Sequence, residues 1–208
     1  MTTTPAPRRA QRYDVASLLD VAVRVFTERG YDGTSMEDLA RAAGVSKSSI
    51  YHHVDGKEHL LRLALERALD PLFAVLTEPG ATSGASRDRL EHVLRREVEV
   101  LVAELPYVTL LLRVRGNTAT EQWALARRRD FDAEVVALVR AAAAEGALRA
   151  DVDPALATRL VFGMINSVVE WYRPEGPRDP RSRSGVRPDA SRLADGVLTL
   201  VLDGLRAR

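Results

Sequence analysis

Apolar residues recur three and four positions apart along almost the whole chain, and this spacing limits what it can become. A helix with 3.6 residues per turn turns such a pattern into a continuous apolar stripe, whereas a strand needs alternation every second residue. Period-two runs and Asn-Gly hairpin turns are missing, while Ala, Leu, Arg and Glu are abundant. The pattern predicts an all-α fold.

The periodic segments are separated by readable stops. A first helix is expected from about Tyr13 to Arg29, with Val15, Leu18, Leu19, Ala22, Val25 and Phe26 on one face and Gly30 as its stop. A second begins at "TSME", read as a capping box between Thr34 and Glu37. A third follows Ser46, and a longer fourth runs from Lys57 toward Leu76. The segment 77–86, "TEPGATSGAS", reads as a loop that closes the first structural unit. Further helices are expected at about 87–104, 106–114, 119–145, 154–172 and 190–206, with Pro154 at the first position of its helix. The Pro- and Arg-rich run between the last two reads as a long exposed loop.

Composition narrows the function. The chain has 208 residues and no cysteine, which excludes disulfides, thiolate metal sites and cysteine nucleophiles and fits a reducing, cytoplasmic setting. Its apolar runs, such as "VTLLL" and "VLTLVL", are far shorter than the roughly 18 residues a membrane span requires. No G-x-S-x-G, Walker A, G-x-G-x-x-G or H-E-x-x-H motif occurs, so neither catalysis nor a bound cofactor is expected. His52, His53, Asp55, Glu58 and His59 crowd together, but their spacing suits coordination poorly, and His53 is expected as half-buried packing, not as a metal ligand. The net charge of +1 leaves the choice of partner to local clusters.

The most informative cluster is "SMEDLARAAGVSKSSIYHHVDGKEHLL", residues 35–61. Small Ala40 allows two helices to cross closely, Gly44 can take the positive φ of a sharp corner, and Leu39, Ala43, Val45 and Ile50 supply the seam. Ser46 caps the helix that follows. That helix presents Lys47, Ser48, Ser49, Tyr51 and His52, hydrogen-bonding groups in place of an ordinary Glu/Lys face. Phosphates accept from such groups, and base edges are read by a helix's first turns, so the stretch reads as a helix-turn-helix for the major groove of double-stranded DNA.

The run "GYDGTSMEDLARAAGVSKSSIYHHVDGKEHLL" resembles the DNA-binding region of TetR-family (tetracycline-repressor-like) transcriptional regulators over residues 13–65. The matching features are Gly30, Thr34, Leu39 with Ala40, Ala43 to Ser46, Tyr51 with His52, and Lys57. The resemblance implies phosphate contacts from Thr34, Tyr51, His52 and Lys57, and base contacts from Lys47, Ser48 and Ser49. Ser48 stands where many relatives have Gly or Pro, and Val54 where an aromatic is common, so no relative's operator can be transferred.

The expected organisation is therefore a disordered basic arm at 1–12, a three-helix DNA-binding domain at 13–58, and a helical effector-binding and dimerisation domain at 59–208. Arg8, Arg9 and Arg12 in the arm suit either a minor groove or a free tail. A short reading helix needs a two-fold partner over a palindromic site. The last two helices, with Gly163, Ser167, Ala194 and Gly196 among apolar stripes, are the expected homodimer surface, the alternative being internal packing.

For a small-molecule effector, Arg113, Trp123, Arg127, Phe131, Phe162, Asn166 and Glu170 are the candidates. Trp123, Arg127, Phe131 and Val135 align on one face, and a guanidinium buried there needs an anion, either internal, such as Glu170, or an acidic ligand. Arg113, Arg115, Arg128 and Arg129 suit either a phosphorylated ligand at a pocket mouth or a solvated surface. The stretch "VVEWYRPEG" and the loop behind it are similar to TetR-type regulators of fatty-acid, sterol or aromatic-acid breakdown that respond to acyl-CoA thioesters. A hydrophobic drug or free metabolite controlling an efflux pump, held by Trp123, Phe131, Phe162 and Trp171, is the alternative.

Overall fold

The structure, a computed structural model, describes residues 14–174 and 188–206. The basic arm, Tyr13 and most of the Arg- and Pro-rich loop lie outside the described residues. The described residues contain eleven helices: α1 (Val15–Arg29), α2 (Met36–Ala43), α3 (Lys47–Tyr51), α4 (Lys57–Val75), α5 (Pro79–Thr82), α6 (Ser86–Ala103), α7 (Leu105–Arg113), α8 (Ala119–Ala144), α9 (Pro154–Asn166), α10 (Val168–Trp171) and α11 (Ala190–Leu205). No strand occurs among them, only an isolated antiparallel bridge from Leu148 to Arg206. The chain divides into two compact units between Leu61 and Arg62, within α4.

In the first unit, α1 buries Leu18, Leu19, Ala22, Val23, Val25 and Phe26. Val15, expected on that face, is exposed because it sits in the first turn, and Val23 completes the stripe instead. Helix α2 starts one residue later than the capping-box reading placed it. Ser35 is the cap: its hydroxyl accepts from the Asp38 amide at 3.2 Å, and the Asp38 carboxylate accepts from the Ser35 amide at 3.0 Å. Thr34 is instead buried, its hydroxyl donating to the Gly30 carbonyl at 2.7 Å, so the α1–α2 turn is closed from within. Ser46 caps α3 as expected, accepting from the Ser49 amide at 3.1 Å. His53, expected to be half-buried, is exposed, because the chain leaves α3 there and Val54 turns inward to take the apolar place.

In the second unit, α6 packs against α8 and α11, and α8 against α9. The expected loop 77–86 contains α5, a single turn begun by Pro79. It is pinned by Glu78, which accepts from Arg96 and pairs with His92 at 2.7 Å. The helix expected over 154–172 breaks at Ser167, whose hydroxyl bonds back to the Met164 carbonyl at 2.7 Å and competes with the helical ladder.

The corner between α2 and α3 is set by Gly44, which lies in the left-handed region with φ 69° and ψ 26°. A Cβ at Gly44 would meet nothing within 4 Å, so a larger residue is opposed by backbone strain alone. Gly44→Ala is expected to destabilise the protein by about 1 to 2 kcal/mol, read as a shift of the urea-denaturation midpoint with an unchanged slope.

Candidate nucleic-acid interface and effector cavity

The first unit brings four of the eight sequence-derived DNA residues to one open groove. Thr34, Lys47, Tyr51 and Lys57 line it, together with Asp32, Gly33 and Ser35 of the α1–α2 turn. Tyr51 is 47% exposed although Ile50 beside it is buried, so the short α3 presents one face outward and anchors the other. Ser46, Lys47, Ser48 and His52 are exposed as well, and Ser49 is half-buried. Ser46 and Ser48 share a hydroxyl hydrogen bond of 2.9 Å.

Two of these residues have partners that sequence reasoning missed. Lys47 is paired with Glu37 of α2, which lowers the Glu37 carboxyl and raises the Lys47 ammonium through their hydrogen bond. The Lys57 ammonium donates to the carbonyls of Tyr31 and Thr34, both at 3.0 Å, and lies 4.3 Å from the Tyr31 ring centroid. These bonds hold the turn into α2, and they occupy two of the three ammonium protons. The Thr34 hydroxyl proton is likewise taken by Gly30, leaving Tyr51, His52 and the α3 serines as the freer donors. Neither partnership has a local sequence signature, since the partners are 10 to 26 residues apart.

The second unit contains a cavity of about 610 Å³ walled by α4, α6, α7, α8 and α9. Its apolar lining includes Leu72, Leu101, Val108, Leu111, Phe131 and Phe162, and the two rings stack with centroids 6.0 Å apart. Arg128, Arg129, Arg140 and Arg159 border it, with Asp132 and Asn166. Of the expected effector residues, Phe131, Phe162 and Asn166 line this space; Arg113, Trp123, Arg127 and Glu170 do not.

The reasons are local. Arg127 turns along α8 to lie 3.6 Å from the Phe73 ring centroid, so an aromatic face takes the place of the expected anion. Glu170, proposed as that anion, is exposed in α10 beyond the Ser167 break. Trp123 is covered by the Arg62 guanidinium, 3.3 Å from its centroid. Arg113 is exposed at the end of α7, and Trp171, offered for the drug-binding alternative, is 54% exposed. The arginine cluster is thus split: Arg128 and Arg129 border the cavity, while Arg113 and Arg115 stay outside it.

Sequence reasoning missed Glu97, which is 7% exposed in α6 and lines the cavity. Its spacing matches the α6 core stripe of Leu90, Val93, Leu94 and Leu101, a signal overlooked because the residue is charged. Burial drives its carboxyl well above the ordinary value of 4.5, and nearby Asp132 pushes it the same way. Burial also raises Asp132, against the pull of Arg128 and Arg159.

A carboxyl that stays protonated when folded but ionises when unfolded costs stability as pH rises above its unfolded value. Stability should therefore fall from about pH 4.5 upward until Glu97 ionises in the folded state. Its contribution is at most about 1.4 kcal/mol per pH unit. Glu97→Gln should remove this component, making the variant progressively more stable than the parent as pH rises above about 4.5, as read by chemical denaturation over a pH series.

Comparison with known proteins places both halves of the chain in one family. A model described as "Bacterial regulatory proteins, tetR family" matches residues 18–64, and one described as "Tetracyclin repressor-like, C-terminal domain" matches residues 83–184. The HTH-type transcriptional repressor KstR2 of Rhodococcus jostii (strain RHA1) is 32% identical over 191 residues, covering 90% of this chain and 89% of the relative. SCO3833 of Streptomyces coelicolor A3, described as a member of the TetR transcriptional regulator family, has a TM-score of 0.81 at 62% identity, covering 99% of this chain and 95% of that one. The ketosteroid transcriptional regulator KstR2 of Mycobacterium tuberculosis has a TM-score of 0.79 at 25% identity, covering 98% and 99%. An exposed helix-turn-helix joined to a cavity-bearing helical unit, with both family models matched in order, makes this chain a member of the TetR family of bacterial transcriptional regulators and not an enzyme.

Proposed function

We propose that the protein is a homodimeric repressor, acting in the cytoplasm, that leaves a palindromic operator when an acyl-CoA thioester occupies the cavity of the second unit. The observation that carries the effector class is the pairing of an apolar interior with an arginine border of Arg128, Arg129, Arg140 and Arg159. A thioester of coenzyme A needs both, an apolar space for its acyl chain and cations for its phosphates. The ketosteroid regulator among the relatives supports an effector with a bulky apolar body. A hydrophobic drug is the competing reading, favoured by the stacked Phe131 and Phe162 rings.

At the operator, Tyr51, His52 and Lys57 take phosphates with support from the Thr34 turn, and Lys47, Ser48 and Ser49 face base edges. Pairing of two copies is supported by Leu156, Leu160 and Met164, exposed along one side of α9, and by Gly196, Leu200 and Gly204 exposed at four-residue spacing on α11. Buried against a second copy, these stripes would leave water, and the small residues would permit close helix approach.

Helix α4 links the two events. Ala68 and Leu72 line the cavity, while Lys57 at its start holds the turn before α2. Pro71 between the two cavity residues removes one helical hydrogen bond, giving the helix a point of compliance. Paired reading helices must meet grooves about 34 Å apart, so a small movement of α4 in each copy is enough to break simultaneous contact. A hundredfold release requires a preference of about 2.7 kcal/mol for the released state, within the usual range of allosteric coupling.

In fluorescence anisotropy on DNA flanking its own gene, acyl-CoAs are expected to displace the protein at lower concentration than the matching free acids. Arg128→Ala with Arg159→Ala should erase the difference; equal potency in the parent protein would overturn the thioester reading. In the same assay Glu37→Gln, which frees Lys47, should tighten operator binding roughly twofold to fivefold, the range expected for a released surface ion pair. Unchanged or weaker binding would remove Lys47 as a DNA contact.

A further inference from the structure

Two polar residues of the cavity wall are buried, Thr158, whose hydroxyl donates to the Pro154 carbonyl at 2.9 Å, and Glu97. Glu97 Oε2 is fully covered and has no hydrogen-bond partner. Its wall neighbours Val100 and Leu101 are apolar. Asp132 is the charged group that acts on it most directly, and Arg128 and Arg159 face Asp132. Among the described residues no cation pairs with Glu97. A leucine or methionine would fill the same wall without stranding a polar atom, so Glu97 costs the fold stability at a place that faces the cavity.

We propose that Glu97 is a specificity-determining residue whose carboxyl hydrogen-bonds a carbonyl or hydroxyl oxygen carried on the apolar body of the effector. The regulator then responds to an oxygenated acyl group and discriminates against its plain hydrocarbon counterpart. The inference deepens the reading of the cavity as the effector site and rests on it. Burial raises the Glu97 carboxyl, and the neutral acid this favours offers a donor to a ketone and an acceptor to a hydroxyl. Discrimination of this kind is strong: a ligand lacking the oxygen leaves the buried carboxyl unpaired, whereas a missing methylene leaves only a small gap.

The test uses the full-length protein, calorimetric titration, and decanoyl-CoA against 5-, 7- and 9-oxodecanoyl-CoA, with the matching free acids in parallel. At least one oxo isomer is expected to bind about tenfold more tightly than its unoxidised partner, the worth of one well-made buried hydrogen bond. Glu97→Gln, which keeps a neutral donor, should retain that preference. Glu97→Leu should abolish it while binding decanoyl-CoA at least as well as the parent, and its melting temperature should equal or exceed the parent's, showing an intact fold. Equal binding of oxo and plain chains by the parent, or a preference that survives Glu97→Leu, would overturn the proposal. An oxo preference among free acids with no gain from coenzyme A would sink the thioester reading and leave Glu97 in its role, and a coenzyme A gain without oxo preference would do the reverse. Failure of every probe to bind would overturn both.

Discussion

The reading surface depends on where the first residue of α4 places its ammonium. Lys57 joins two carbonyls of the α1–α2 turn and faces the Tyr31 ring, so the entry to α2, and through the Gly44 corner the direction of α3, is referred to α4. A charged donor shared by two carbonyls is stronger than a neutral bond. It also defines geometry in a way that apolar contact does not, because the ammonium must stay near both oxygens.

The cavity shows the opposite economy. Most of the second unit is conventional core, with Leu90, Val93, Leu94 and Val98 of α6 buried at regular spacing. Within that regular stripe Glu97 is an interruption that stability alone does not favour. Function therefore has to be sought where local consistency fails, and here the failure faces an internal space. The arginines of the same cavity follow a different logic. Arg129, Arg140 and Arg159 are exposed at its border, whereas Arg128 is half-buried, and burial lowers its guanidinium against the pull of Asp132.

Much of the first unit was legible because its determinants are local. Gly44 needs a left-handed corner, Ser46 needs only the amide three residues on, and Leu39, Ala40 and Ile50 follow a helical period, so residue type and spacing sufficed. The misplaced capping box shows the limit of that reasoning. Thr34-x-x-Glu37 and Ser35-x-x-Asp38 are equivalent as local patterns, and the choice fell to Ser35 because Thr34 was already committed inward to Gly30. His53 and Val15 erred for the same reason, since a residue at a helix end can face either way until the neighbouring element is placed.

The effector residues were less legible because a cavity is made by five helices distant in sequence. Phe131, Phe162 and Asn166 were reachable from amphipathic patterning alone. Whether Arg127 looked into the cavity or lay on Phe73, and whether Trp123 lined a pocket or sat beneath Arg62, depended on which side of α8 met α4 within the second unit. By itself the sequence determined the helical class, the helix-turn-helix corner and the polar face of α3, since these follow from periodicity, turn chemistry and residue type over short spans. The tertiary structure alone decided the Lys57 clamp, the Glu37–Lys47 pair, the arginine border and the buried Glu97, because each depends on groups that only packing brings within hydrogen-bond or van der Waals reach.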